Sequence, residues 1–124
     1  MPRVLSFGYI EELLERRHKA LTAAGIDVQS VTSKEQACRL MEAQHFDLLI
    51  IGPGIPGSDR NDLARKARVL HKAKTIFLYR WNISRAELAD AVLSVDGDPQ
   101  SLVNAVLQML GNGNGGAEPD VKIG

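Results

Sequence analysis

The sequence predicts an α/β fold, a doubly wound, five-stranded parallel sheet with helices on both faces. Three observations carry that prediction. Short apolar runs alternate along the chain with segments of helical apolar spacing. The third run, Phe46-Asp-Leu-Leu-Ile-Ile51, is almost continuously apolar, as a strand covered on both sides must be. The connections are short and carry helix-capping signals, which is how parallel strands are joined through crossover helices.

Each element has its own reason. Val4 to Phe7 is a short strand ending at Gly8, and residues 10–24 place Ile10, Leu13, Leu14 and Leu21 at helical spacing before Gly25, a C-terminal stop. Ile26 to Val31 alternates as a second strand. Ser33-Lys-Glu-Gln36 has capping-box spacing for a helix with Ala37, Leu40 and Met41 on one face. The run at 46–51 stops at Gly52-Pro-Gly-Ile-Pro-Gly57, after which Ser58 or Asp59 is placed to cap a third helix with Leu63, Ala67 and Leu70 inward. Thr75 to Tyr79 is a fourth strand, Ser84-Arg-Ala-Glu87 opens a short helix to about Val92, and Val92 to Val95 is a fifth strand. Asp98-Pro99 is an N-cap followed by Pro at the first helical position, and the last helix is expected to end at Leu110 before Gly111. Residues 1–110 thus read as one domain and 111–124 as a flexible Gly/Asn-rich tail.

Composition narrows the function classes. A chain of 124 residues buries roughly two thirds of its unfolded surface and needs no staple. The lone Cys38 cannot form an internal disulfide, and Cys38, His18, His45 and His71 stand singly without metal-ligand spacing, so no metal or cofactor is expected. No stretch approaches a membrane span, and acidic residues come too early for a leader, which predicts a cytoplasmic protein. The formal net charge of zero argues against a generally basic nucleic-acid binder. That neutrality is uneven: residues 1–59 carry −2, 60–80 carry +6 and 81–124 carry −4.

The order of elements, the segment FDLLIIGPGIPG and the approach to the last helix, GDPQSLVNAVLQML, resemble the receiver domain of two-component response regulators over residues 3–110. The resemblance implies the CheY-like, flavodoxin-like strand order 2-1-3-4-5. It also implies where phosphoryl chemistry would sit: an acidic pair after the first strand holding Mg²⁺, an Asp ending the third strand, a Ser or Thr after the fourth and a Lys after the fifth. This sequence puts Gly8 and Tyr9 at the acidic pair, Gly52 at the phosphoryl acceptor, Tyr79 at the Ser/Thr and Val95 near the Lys. Aspartyl phosphorylation needs a carboxylate nucleophile, a cation held by oxygen ligands and a compensating positive group. Gly52 has no side chain, and Asp47 lies five residues upstream, about 16 Å away along a strand. The resemblance therefore points to a pseudo-receiver with no Mg²⁺.

Other features have plain structural roles open to them beside functional ones. GPGIPG matches neither the P-loop nor the dinucleotide fingerprint and reads as a tight exit from a buried strand. Tyr9, Tyr79, Arg80 and Trp81 fall at strand ends, where they either fill space or form a ligand or partner surface. Arg65, Arg68 and Lys72 at i, i+3 and i+7 predict a basic stripe on the third helix. His18, between Leu14 and Leu21, reads as a packed-edge histidine. In the last helix, Val103, Leu107 and Leu110 form a second apolar line beside the one facing the sheet, so they are the expected interface. The resemblance points to the same place, since in receivers the surface around the fourth helix, fifth strand and fifth helix is a common dimer or partner surface.

The expected function is a non-enzymatic, phosphorylation-independent signalling module of a two-component or phosphorelay system, with a protein partner or a second copy of itself bound through the last helix. The alternatives are a small-ligand or nucleotide-binding module using the vacated pocket, and nucleic-acid contact through the basic third helix.

Overall fold

The computed structural model describes residues 2–79, 91–94 and 99–113, with backbone alone at 79, 91–94, 99, 112 and 113. In chain order the elements are β1 (Arg3–Phe7), α1 (Glu11–Ala23), β2 (Asp27–Val31), α2 (Lys34–Ala43), β3 (Leu48–Ile51), α3 (Gly57–His71), β4 (Lys74–Tyr79), β5 (Ala91–Ser94) and α4 (Pro99–Gly113). The five strands form one parallel sheet in the order β2-β1-β3-β4-β5, as expected. The order switches between β1 and β3, the point at whose carboxyl edge doubly wound folds place a ligand crevice.

Alternation along the central strands divides the core in two. Leu5 and Phe7 of β1, Leu49 and Ile51 of β3 and Phe77 of β4 pack under α2 and α3. Val4, Leu48, Ile50, Ile76 and Leu78 face the other way, under α1 and α4. Ser6 points to this second side and is fully buried there, a polar residue in an apolar layer.

Several local expectations are realised. Gly25 sits at φ +83°; its N–H bonds to Thr22 O and the Ile26 N–H to Leu21 O, closing α1 with a Schellman motif. Ser33 caps α2 by accepting from the Gln36 N–H, while Gln36 Oε1 accepts from the Thr32 N–H, one residue further out than a capping box requires.

Other expectations are corrected. Ile10 is the exposed N-cap of α1 and not part of its buried face. Helix α3 begins at Gly57 with Pro56 as its N-cap, so neither Ser58 nor Asp59 caps it: Pro56 already holds the extended geometry from which a helix can start. Leu70 is exposed, because the inward stripe of α3 runs through Leu63, Ala64 and Ala67 and has rotated away by the last turn. β5 occupies Ala91–Ser94, one residue earlier than expected, paired from Ile76↔Ala91 to Tyr79↔Ser94. α4 continues through Gly111 to Gly113, three residues past its expected end at Leu110, because glycine weakens a helix by about 1 kcal/mol but does not forbid it as proline does. The expected helix from Ser84, and residues 114–124 of the expected tail, lie outside the described residues.

Candidate functional site

The carboxyl edge of β1 and β3 is where doubly wound folds place a ligand crevice. Phe7 and Ile51 are paired at the last step of the register, and the Gly52 N–H bonds to Phe7 O at 2.8 Å while the Gly8 N–H bonds to Val31 O at 3.2 Å. Gly8 and Gly52 therefore lie beside each other, both buried. The expectation placed them at a missing acidic pair and a missing acceptor; the structure adds what stands between them.

That residue is Arg17. It lies on α1 between the buried Leu14 and Leu21, on the face turned to the sheet, and only 6% of it is exposed. Its Nε donates to Ser6 Oγ at 3.1 Å and its Nη2 donates to Phe7 O at 3.3 Å. A Cβ placed on Gly8 would lie 2.9 Å from Nη2, and one on Gly52 would lie 3.2 Å from the same atom. The glycines are thus the walls of a slot that the guanidinium fills. Arg17 makes no ion pair with a carboxylate among the described residues. Burial alone pushes its guanidinium down to about 10, so it is charged at neutral pH.

A second cation approaches from α3: the Arg60 guanidinium carbon lies 4.7 Å from the centre of the Phe77 ring. Tyr9, just beyond Gly8, sets its ring edge-on against Phe7 at 5.4 Å and is half exposed. The acidic residues nearest in sequence, Glu11 and Glu12, lie exposed in the first turn of α1. A hard divalent cation needs several oxygen ligands. Gly8, Tyr9 and Gly52 offer no carboxylate, and the charge beside the two glycines is already positive, so these residues do not fit such an ion. No cluster of three or more His, Cys, Asp or Glu placed to hold a metal occurs among the described residues.

The remaining candidates separate. The Tyr79 side chain, Arg80, Trp81 and Val95 lie outside the described residues, so the aromatic surface is placed only at Tyr9. Asp47 is at the opposite end of the sheet, accepting from the Arg3 N–H at 2.9 Å. Arg65 and Arg68 are exposed on α3, with Arg65 paired to Asp62 at 3.6 Å. Lys72 has left the helix: it is the C-cap, at φ 54°, so the three do not form one helical stripe. Lys34 and Lys66 tie α2 and α3 together through Asp59, Asp62 and Glu42, and these bonds hold both ammonium groups above the ordinary lysine range.

The histidines acquire partners that sequence spacing did not offer. His18 Nδ1 meets Ser30 Oγ at 2.8 Å, His45 Nε2 meets Asp47 Oδ1 at 3.1 Å, and His71 Nε2 donates to Met41 O at 2.7 Å. The expected interface on α4 is also redrawn. Val103 is 2% exposed and Leu110 packs partly buried against the core, because α4 lies against α1 as well as the sheet. Leu107 alone of the three is open to solvent. Arg17 itself escaped the sequence reading, although Leu14, Arg17 and Leu21 share the i, i+3, i+7 spacing of a buried face.

Comparison with solved structures identifies the fold as that of CheY-like receiver domains. A response regulator receiver domain from Methanospirillum hungatei JF-1 superposes with a TM-score of 0.80 at 19% identity, over 92% of this chain and 97% of that one. The response regulator TrrA of Thermotoga maritima, solved in complex with Mg²⁺ and beryllofluoride, gives 0.76 at 22% identity, over 88% and 99%. A two-component response regulator from Clostridium difficile gives 0.81 at 16% identity, over 93% and 100%. No protein-family model matches the sequence, and no curated protein matches it either. No helix among the described residues is long and apolar enough to cross a membrane.

Proposed function

We propose that this chain is a receiver-like signalling module of a two-component or phosphorelay system that works without phosphorylation and without turnover, by protein contact in the cytoplasm. The observation that carries the reading is the pairing of Gly8 and Gly52 around the Arg17 guanidinium at the edge where the receiver fold places its chemistry. Phosphoryl transfer to a protein needs a nucleophile whose lone pair can attack phosphorus and a cation to neutralise the developing charge. Gly52 has no atom that can accept the phosphoryl group. The Thermotoga protein was solved with Mg²⁺ and beryllofluoride; the β1/β3 edge of this chain offers a fixed positive group and, at Gly8, Tyr9 and Gly52, no carboxylate.

With the chemical switch removed, output depends on surface. The exposed part of α4 around Leu107 is the surface this reading uses, and association with a second copy is its simplest form. Incubation with acetyl phosphate or beryllofluoride and Mg²⁺, read by intact mass and by amide chemical shifts, is the direct test. Unchanged mass and unchanged shifts at Gly8 and Gly52 are expected; stoichiometric, saturable modification would overturn the proposal.

A further inference from the structure

The two glycines and the arginine look independent in sequence, yet the geometry makes them one unit. Nη2 of Arg17 approaches so closely that Gly8 cannot carry a Cβ without displacing it, and a Cβ on Gly52 would press on Nη2 and on Phe7 O at 3.2 Å each. The guanidinium is held by a hydroxyl and a carbonyl, Ser6 Oγ and Phe7 O, both neutral. A buried charge with neutral partners is costly to keep. Its neighbours have been fitted to it: a serine in an apolar strand supplies an acceptor, and two residues without side chains supply room.

We infer that Arg17 is a resident cation, built into the chain in place of a bound one, which fixes the β1/β3 edge in a single electrostatic state and bars divalent cations from it. This rests on reading that edge as the receiver-type site. It goes further than loss of the acceptor, because it predicts that restoring a carboxylate would not restore metal binding. An aspartate at position 52 would find the guanidinium first, forming a buried ion pair, and its oxygens would be occupied by hydrogen bonds from Nη2 instead of being presented to a metal.

A double-mutant cycle tests the field of Arg17 directly. Gly52→Asp and Gly52→Asn introduce side chains of nearly equal size, so both meet the same crowding at Phe7 O, while only Asp brings a negative charge. With Arg17 present, the Asp variant should melt about 5 °C or more above the Asn variant at pH 7. In an Arg17→Met background that advantage should vanish or reverse. Equal melting of Asp and Asn variants beside Arg17 would overturn the inference.

Should the position 52 variants not fold, the unaltered protein decides. Titrated with Mn²⁺ to millimolar concentrations, it should show no selective paramagnetic broadening of the Gly8 and Gly52 amides, whereas selective broadening there would overturn the inference. These measurements stand apart from the acetyl phosphate assay: the chain can fail to be phosphorylated with or without an Arg17 field, so each idea can fall alone.

Discussion

The Ser6 hydroxyl accepts a hydrogen bond from Arg17 Nε at 3.1 Å inside the layer between the sheet and α1, where both residues are buried. Ser6 is paired with Ser30 on one side and Ile50 on the other, in the middle of the sheet. A polar residue at that depth needs a partner, and α1 delivers it from one helical turn beyond Leu14.

Removing the hydroxyl should therefore be felt far more than the loss of one atom suggests. Ser6→Ala leaves a buried, charged donor without its acceptor, a change that costs about 1–3 kcal/mol. Urea unfolding should show the midpoint falling with an unchanged slope. An unaltered midpoint would mean that the guanidinium readily finds another acceptor.

The same burial sets an alkaline signature. Desolvation lowers the folded-state value of Arg17 from the ordinary guanidinium range to about 10. Between these limits the unfolded chain binds more protons than the folded one, so stability rises with pH across the window. Below pH 10 the desolvation penalty is present in full, and it is relieved as the buried group loses its proton. Relative to Arg17→Met, in which every other group titrates alike, the native sequence should gain stability as the pH rises above about 10. Parallel denaturant titrations of the two proteins across that range read this difference, and a flat difference would contradict the assigned burial.

How much of this was legible in the sequence follows from the range of the interactions. The glycine stop at Gly25 and the serine cap at Ser33 are local signals found where their spacing put them, and the apolar run at 46–51 contains the buried strand, shortened to Leu48–Ile51. Gly8 and Gly52 were legible as positions without the expected carboxylates, because strand ends are fixed by register. Arg17 was not, since a charged residue on an amphipathic helix ordinarily faces water; its burial depends on Ser6, Gly8 and Gly52, which only the folded sheet brings together. The second apolar line of α4 was misassigned for a related reason. Sequence shows that two lines exist, but only the packing of α4 beside α1 shows that Val103 is covered.

That packing makes opposite predictions for two neighbouring residues of one helix. Val103→Glu forces a charge into the core and should cost about 3 kcal/mol or more. Leu107→Glu, at a residue 46% exposed, should change stability by no more than about 0.5 kcal/mol. If the α4 surface mediates contact, the same Leu107→Glu protein should remain monomeric by light scattering at concentrations where the native sequence associates. Native protein that stays monomeric at high concentration would remove self-association from the proposed function.

Two helix ends provide a last and independent comparison. Gly25 closes α1 at φ +83°, and Lys72 closes α3 at φ 54°, both in the left-handed region. At Gly25 there is open space around a would-be Cβ, so Gly25→Ala changes only the backbone preference and should destabilise by about 1 kcal/mol. At Lys72 the chain already bears that cost, while its N–H bonds to Arg68 O at 2.9 Å and the Ala73 N–H bonds to Ala67 O at 3.2 Å. Lys72→Gly keeps both bonds and removes the strain, so it should stabilise the protein by up to about 1 kcal/mol, read as a rise in melting temperature of a few degrees. The sign is the test: a fall would show that the Lys72 side chain contributes more than its backbone conformation costs.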